Sequence, residues 1–524
     1  MRRAALFLFT VVFSLFMSGC GSQTQVVTPT PMSNPTPSSV PVSLSVTDDP
    51  PAGVTVLFFQ LNITGASLTT ASSGSVSLLS STNPIPVNVT QLQTDRAFLG
   101  NANVAAGTYN GLNLTFSNPQ LTIYNGTGST IGSGANACAN NTVCQLQPAA
   151  QNMSLTLNST PPFPVTLTAN SPLAFMIDIH LDTVIQSDLS VNLGATNGVT
   201  ISQLPTPPTG KPFPHLGHLW GTIQSINNST SPNGFTLQTG FGKTFNIDVN
   251  DSTTYSNFPA SAACTTSAET FSCLATQQVV KVEVSEQSDG TLLASEVDYV
   301  QLASQMLVEG NIIRLNTTGG NTVMDLVPQR GWASPNSLPL GHRVRVTVPS
   351  GGVTYAIDSG SFTLPSSGLS FASASDLIVG QEVSVVVQGS VTPATGSGSW
   401  TTWSGPGPAT FTTSSITLEP SQITGSVAAL PATGQLSFTL STLPFFFVPP
   451  AAASTTPVWA PVNITVQTTA ATTFTNFTTD DLSGLAMNDI VSVQGWVFST
   501  PSGATNITLA AETVDDRPGP IPLF

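Results

Sequence analysis

The chain has 524 residues, carries only 7% charged side chains and has a formal net charge of −15. At about 150 residues per domain that length predicts three or four domains, each able to bury its own core. An acidic chain so poor in Lys and Arg is repelled by nucleic-acid phosphates and by anionic lipid surfaces, which excludes the nucleic-acid binders as a class.

The chain opens with Arg2 and Arg3, then an apolar run from Ala4 to Met17, then Ser18-Gly19-Cys20. The run is short of the roughly 20 residues a bilayer span needs, so residues 1–20 read as an export leader and not as a transmembrane helix. Small residues immediately before a cysteine resemble a bacterial lipoprotein signal, which implies that Cys20 is the lipidated residue and that the chain is tethered to a membrane by its acyl group. Met17 stands where such signals usually have Leu, and ordinary signal cleavage is the alternative. Loss of Arg2 and Arg3 with the leader takes the net charge from −15 to −17. In some bacteria an Asp after the lipidated cysteine retains lipoproteins at the inner membrane; Gly21 in that place implies the outer membrane of the cell envelope. Residues 21–41 are rich in Pro, Thr and Ser and empty of charge, the composition of an extended stalk.

From Val42 to about residue 202 the sequence alternates apolar with Ser, Thr and Asn, as in VSLSV, GTYNGLNLTF, MSLTLN and LAFMIDIHLDTVI, while helical periodicity is nearly absent. Period-two alternation with turn residues between runs predicts an all-β fold, here a β-sandwich with one wetted face per sheet. The opening Val42-Ser43-Leu44-Ser45-Val46-Thr47-Asp48-Asp49-Pro50, then Ala106-Gly107-Thr108-Tyr109 before Leu112-Asn113-Leu114, and the closing Met176-Ile177-Asp178-Ile179 together resemble an uncharacterised domain found at the start of bacterial surface lipoproteins. The resemblance implies a β-sandwich of unknown role and brings no catalytic residues.

A Pro-rich linker, residues 203–217, separates this domain from a degenerate repeat with a period of about 90 to 115 residues, one small β-domain per unit. The units are placed at 218–303, 304–415 and 416–524. Each opens with glycine and an apolar strand, at Gly221-Thr222-Ile223, Gly310-Asn311-Ile312 and Gly425-Ser426-Val427. Each continues through a strand into a Thr-and-aromatic element, Val249 to Tyr255, Val348 to Tyr355 and Val466 to Phe474, and two close on LIVGQEVSVVVQG and LAMNDIVSVQGWV. In the first unit an Asp289-Gly290 turn joins the closing strands. These units resemble a second uncharacterised family of small β-barrels that often follows the first, which implies three OB-like barrels. OB-like grooves that hold nucleic acid carry basic and aromatic residues, and the basic ones are too few here.

Four of the five cysteines fall into two local pairs, Cys138 with Cys144 and Cys264 with Cys273, each in a polar turn where a disulfide clips a loop in an oxidising compartment. Their spacing lacks the ligand pattern of a zinc site. No G-x-S-x-G elbow, H-E-x-x-H helix or phosphate-binding glycine loop occurs, so neither a catalytic residue nor a metal or cofactor is expected. His215 and His218 sit in or beside the linker with no third ligand. The close acid pairs Asp48 with Asp49, Asp178 with Asp182, Asp248 with Asp251 and Asp480 with Asp481 read as turn residues, calcium being the alternative. The Asn-x-Ser/Thr triplets at Asn62, Asn88 and Asn463 follow from the abundance of those residues. Trp400 with Trp403, and Phe445-Phe446-Phe447, lie in insertions where rings either stack on a glycan or a surface partner or fold back to plug a barrel. The reading is a lipid-anchored envelope protein, a non-catalytic binding or structural module; a carbohydrate-binding surface protein and a polysaccharide-acting hydrolase are the alternatives.

Overall fold

The computed structural model describes residues 39–516 apart from 50–54, 72–73, 80–83, 93–96, 170, 205–217, 229–231, 241, 262, 266–268, 288–289, 303–305, 333–337, 361, 366–368, 396–406, 433, 444–461, 478, 480 and 500–506. The fold is all-β, and its one α-helix among the described residues is the single turn Leu181–Val184.

The N-terminal domain is built from β1 (Ser39–Asp49), β2 (Thr55–Thr70), β3 (Ser75–Ser77), β4 (Ile85–Asn88), β5 (Ala97–Ala105), β6 (Gly107–Asn125), β7 (Thr142–Leu146), β8 (Ala150–Gln151), β9 (Ser154–Leu157), β10 (Val165–Leu167), β11 (Leu173–His180), β12 (Val191–Asn192) and β13 (Val199–Gln203). A four-stranded sheet runs β13-β11-β1-β5, with β1 and β11 parallel. The second sheet is centred on the long antiparallel pair β2 and β6, to which β3, β4, β7, β9 and β10 add. The facing side chains of both sheets, Val42, Leu44, Phe175 and Ile177 from one and Phe59, Leu61, Leu112 and Leu114 from the other, belong to one core. The predicted sandwich is therefore present, and alternation explains it: each strand gives every second side chain to the space between the sheets.

Three six-stranded sheets follow, identical in strand order. The first contains β14 (His218–Asn227), β15 (Asn233–Gln238), β16 (Thr244–Val249), β17 (Thr254–Ser256), β18 (Gln278–Glu286) and β19 (Leu292–Leu302). The second contains β20 (Leu307–Thr318), β21 (Asn321–Trp332), β22 (Val344–Val348), β23 (Thr354–Ile357), β24 (Glu382–Thr392) and β25 (Ala409–Glu419). The third contains β26 (Ser421–Ala429), β27 (Ser437–Leu443), β28 (Asn463–Gln467), β29 (Thr473–Thr475), β30 (Ile490–Ser499) and β31 (Ile507–Asp516). In each, the third strand pairs parallel with the sixth, β16 with β19, β22 with β25 and β28 with β31, closing five strands into a barrel, while the short fourth strand extends the sixth. Closure removes the exposed strand edges that an open sheet of this length would present.

The glycine that opens each repeat has a steric cause. A Cβ on Gly221 would lie 2.6 Å from the Gln238 carbonyl oxygen, and a Cβ on Gly310 or Gly425 would press on the carbonyls of Val327 and Ser441. The first two strands of each barrel approach most closely there, beside a bulge in their register. A second shared element precedes the fifth strand. A 3-10 turn leads to a residue of positive φ, Gln277, Gly380 or Asn488, and the next side chain, Gln278, Gln381 or Asp489, accepts a hydrogen bond from the backbone N–H of Ala275, Ile378 or Ala486. In the second and third barrels this element is the sequence signature noted above.

Residues 38–524 form one compact unit. Several strands are buried on both faces, which is how the domains adhere. Leu57, Phe58 and Tyr124 of the sandwich pack on Ile313 and Val327 of the second barrel, and Phe98 of the sandwich enters the core of the first. Trp496, Phe498 and Ala510 of the third barrel belong to the core of the second.

Candidate functional site

Charged side chains are rare in this chain, so those that the strands place in buried positions stand out. They collect where the domains meet. In the second barrel, Glu309 on β20, Glu382 on β24 and Glu419 on β25 are at most 4% exposed. The Glu309 carboxylate pairs with the Arg330 guanidinium, which lies 5.0 Å from the Trp220 ring of the first barrel. Ser384 donates a hydrogen bond to Glu419. Glu382 accepts from the side-chain amide of Gln91 in the sandwich at 3.4 Å and from Asn311 at 3.5 Å, and its own N–H donates to the Ser421 hydroxyl at 2.9 Å. Gln422 of the third barrel donates to the Gln91 carbonyl at 2.9 Å, so Gln91 joins three domains.

Burial and the neighbouring Glu309 raise the pKa of the Glu382 carboxyl, and the Arg330 charge only partly offsets them. Glu419 is raised well above the usual carboxylate range by burial and by Asp358 and Glu309. A second group of charges adjoins the first. Lys281 on β18 is half-buried; burial lowers its pKa, but Asp358 and Glu419 of the second barrel, Glu512 of the third and Asp298 beside it act in the opposite direction and hold the ammonium above its ordinary value. Asp298 is raised, by burial first and then by Glu296. Asn257 of the first barrel donates to Asp358 at 3.0 Å, and the Trp496 indole N–H of the third donates to the Asp358 carbonyl at 2.7 Å. Elsewhere, Arg314, Arg343 and Arg345 gather on Asp325, itself wholly buried.

The sandwich is further fixed by Gln329, whose amide donates to the Leu57 carbonyl at 2.6 Å and accepts from Asn88 at 2.7 Å, and by Thr122, which donates to the Gly341 carbonyl at 2.7 Å. Beside that contact a cleft of about 150 Å³ is lined by Gln120, Gln145, Gln147, Leu340 and His342. Lys243 donates to the Leu99 carbonyl across the boundary with the first barrel, and burial lowers its pKa to about 8.

The residues singled out from sequence fare unevenly. Both cysteine pairs are disulfide-bonded, Cys138 to Cys144 and Cys264 to Cys273. Cys20, Trp400, Trp403, Phe445, Phe446 and Phe447 lie outside the described residues, as do His215 and the side chain of His218. Of the acid pairs, Asp481 accepts from the Ser483 N–H at 2.8 Å, the turn role expected of it, and Asp178 faces His180 at 3.6 Å. The side chains of Asp48 and Asp49, and Asp480, are outside the described residues. Among the described residues no three His, Cys, Asp or Glu side chains are placed to hold a metal ion, and no helix is long and apolar enough to cross a membrane.

None of the buried charged residues of the junction was singled out by sequence, and Asn88 was noted only as part of an Asn-x-Thr triplet. Their signal was a charge inside an otherwise apolar strand, as in VVKVEV, LVEGNII and GQEVSVVV, together with apolar residues at successive positions, as in VLFFQL and NIIRL. A strand wetted on one face does not put Phe58 beside Phe59 or Ile312 beside Ile313; a strand buried on both faces does.

The fold and this junction define a multidomain all-β protein, a sandwich locked to three closed barrels. Residues 39–197 match the family model described as a domain of unknown function (DUF4382), and residues 221–298 and 455–498 match a second domain of unknown function (DUF5666). The two resemblances drawn from sequence, an uncharacterised first domain and uncharacterised small domains after it, agree with these matches. The second barrel lies outside both, yet repeats the same strand order. No curated protein matches the chain. Among solved structures, a deletion mutant of the single-stranded DNA binding protein from Thermus aquaticus is 11% identical with a TM-score of 0.14, over 42% of this chain and 96% of that one. The wild-type protein is 12% identical with the same TM-score, over 41% and 94%. Likeness at that level carries nothing about binding.

Proposed function

We propose that this is a lipid-anchored protein of the bacterial cell envelope, held at the outer membrane through Cys20, that acts without catalysis as a binding or structural body. The observation that carries the structural part of this reading is the burial of charged and aromatic side chains between domains: Glu382 accepts from Gln91 of the sandwich, and Trp496 of the third barrel is buried in the core of the second. Such contacts favour a rigid spacer that holds its loops at fixed positions over a flexible string of domains. The two bonded cysteine pairs support export, since disulfides persist in oxidising compartments. The excess of acidic over basic residues, 26 against 11, argues against nucleic acid as the partner.

The test is mass spectrometry of the protein purified from its native cells. A diacylated or triacylated Cys20 at the mature N-terminus is expected; an unmodified thiol there, or a retained leader, overturns the anchoring. A second reading, glycan binding, is favoured by a small, mainly apolar cleft in which Gln120, Gln145 and Gln147 stand beside Phe58, Leu121, Leu146 and Leu340, because side-chain amides pair with sugar hydroxyls and apolar side chains pack on sugar faces. Glycan-array binding that falls with Gln145→Ala places it in the cleft, and binding that falls with Trp400→Ala or Trp403→Ala places it in the insertion. Turnover of a polysaccharide would instead establish the hydrolase reading.

A further inference from the structure

Three domains meet at one carboxyl. Glu382 is 2% exposed and Glu309 is 1% exposed. One oxygen of each, Glu382 Oε1 and Glu309 Oε2, takes no hydrogen bond from an amide, hydroxyl or guanidinium of the described residues, and the two carboxyls are within hydrogen-bond reach of each other when one of them carries a proton. The other Glu382 oxygen receives the Gln91 amide of the sandwich, while the Gln91 carbonyl receives Gln422 of the third barrel. The charged and titratable groups facing this point come from each strand around it: Glu309 from β20, Arg330 from β21 and Glu419 from β25, with Lys281 of β18 and Asp358 beyond Glu419. Gln91, Asn311 and the Ser421 hydroxyl are the neutral neighbours.

Near Glu382, two buried carboxyls therefore share one guanidinium. A single negative charge on the pair is balanced by Arg330; a second adds repulsion between anions that no water solvates. We propose that the Glu309–Glu382–Glu419 cluster is a proton-dependent latch, which holds the sandwich and the third barrel on the second barrel while Glu382 is protonated and releases the Gln91 contact when that proton passes to bulk solvent. The direction agrees with the raised pKa of Glu382: burial and the Glu309 charge, which favour the neutral form, outweigh the Arg330 charge and the Gln91 amide, which by themselves favour the anion. Opening the contact rehydrates both anions, so the ionised form favours the open arrangement and the neutral form the closed one. This inference holds whether or not the chain is anchored at Cys20, because it concerns only contacts inside residues 38–524.

Hydrogen exchange on the full chain between pH 6 and 9.5, with rates corrected for intrinsic pH dependence, tests it. Peptides that cover Val89 to Leu92 and Ser421 to Thr424 are expected to lose protection by about tenfold for each pH unit gained until the pH reaches the closed-state value of Glu382, about 8, and to level off above it, while the barrel strand β18 keeps its protection. Glu382→Gln keeps the hydrogen-bonding shape without the charge and is expected to hold protection constant across the range. Glu309→Gln, which leaves Glu382 in place and removes the acid beside it, is expected to shift the midpoint down. Protection in the wild type that does not change with pH overturns the latch. So does a loss in Glu382→Gln equal to that of the wild type, or a wild-type loss that spreads evenly over all strands. Should Glu382→Gln fail to fold, the wild-type profile and Glu309→Gln decide on the same terms.

Discussion

Trp496 is the sharpest point at which to test whether the second and third barrels fold as one. Its side chain is 1% exposed, stacks on Phe362 with ring centroids 5.2 Å apart, and donates its indole N–H to the Asp358 carbonyl. Truncation to alanine removes a fully buried ring and leaves a cavity, a change that costs about 3 to 5 kcal/mol. The orphaned Asp358 carbonyl adds about 1 kcal/mol, because water entering the cavity recovers part of its hydrogen bonding. With a urea m-value of about 3 kcal/mol/M, a loss of about 4 kcal/mol moves the midpoint down by more than 1 M. Trp496→Phe keeps a ring against Phe362 but loses the donor and part of the ring volume, for a cost of about 1 to 3 kcal/mol. Equilibrium unfolding in urea, followed by circular dichroism and by hydrogen exchange in both barrels, is the assay. Equal destabilisation of β24 and β30 is expected in Trp496→Ala. A shift confined to β30, or a loss under about 1 kcal/mol, would refute the claim that this ring joins the two barrels.

Two further outcomes follow from single positions. Gly341 has φ +73°, and a Cβ there would collide with the Phe58 ring, so Gly341→Ala should destabilise the sandwich-to-barrel contact by more than about 2 kcal/mol, seen as faster protease cleavage of the intact chain, whereas Gly351→Ala, where a Cβ meets open space, should leave the rate unchanged. Glu286 is wholly buried, and burial raises its pKa to about 7 although the Ser43 hydroxyl draws it partly back. The folded chain thus keeps a proton that the unfolded chain releases near pH 4.5, and stability falls as pH rises from there through 7 by about 3 kcal/mol. Glu286→Gln should match the wild type at pH 4 and exceed it at pH 8 in urea unfolding; an unchanged pH slope would contradict this.

Much of the architecture was legible because alternation and turn chemistry act locally. The period of VSLSV and GTYNGLNL sets one buried face per strand, and the recurring glycines at 221, 310 and 425 mark the repeats that the barrels realise. The junction was not legible, because it depends on which outer faces meet. Glu382 looks from sequence like a solvent-facing residue at the start of a strand, and only docking of Gln91 and Ser421 on it makes it buried. Phe58 beside Phe59 did carry the message that β2 has two covered faces, but a doublet alone does not say what covers the second.

The glycine at the head of each barrel has a consequence for how such a chain diversifies. Since a lone hydrogen atom at that crossing is what the narrow gap between neighbouring carbonyls demands, and the turn before the fifth strand needs its positive φ and its capping side chain, most remaining positions answer only to a broad inside-or-outside rule. A copied barrel is then free to exchange nearly every other side chain, as Trp220, Glu309 and Thr424 before that shared glycine illustrate. One copy acquires a ring for a guanidinium, the next an acid, the third a hydroxyl that bonds Ser492, and duplicated shapes become unlike partners that fit each other in a single order.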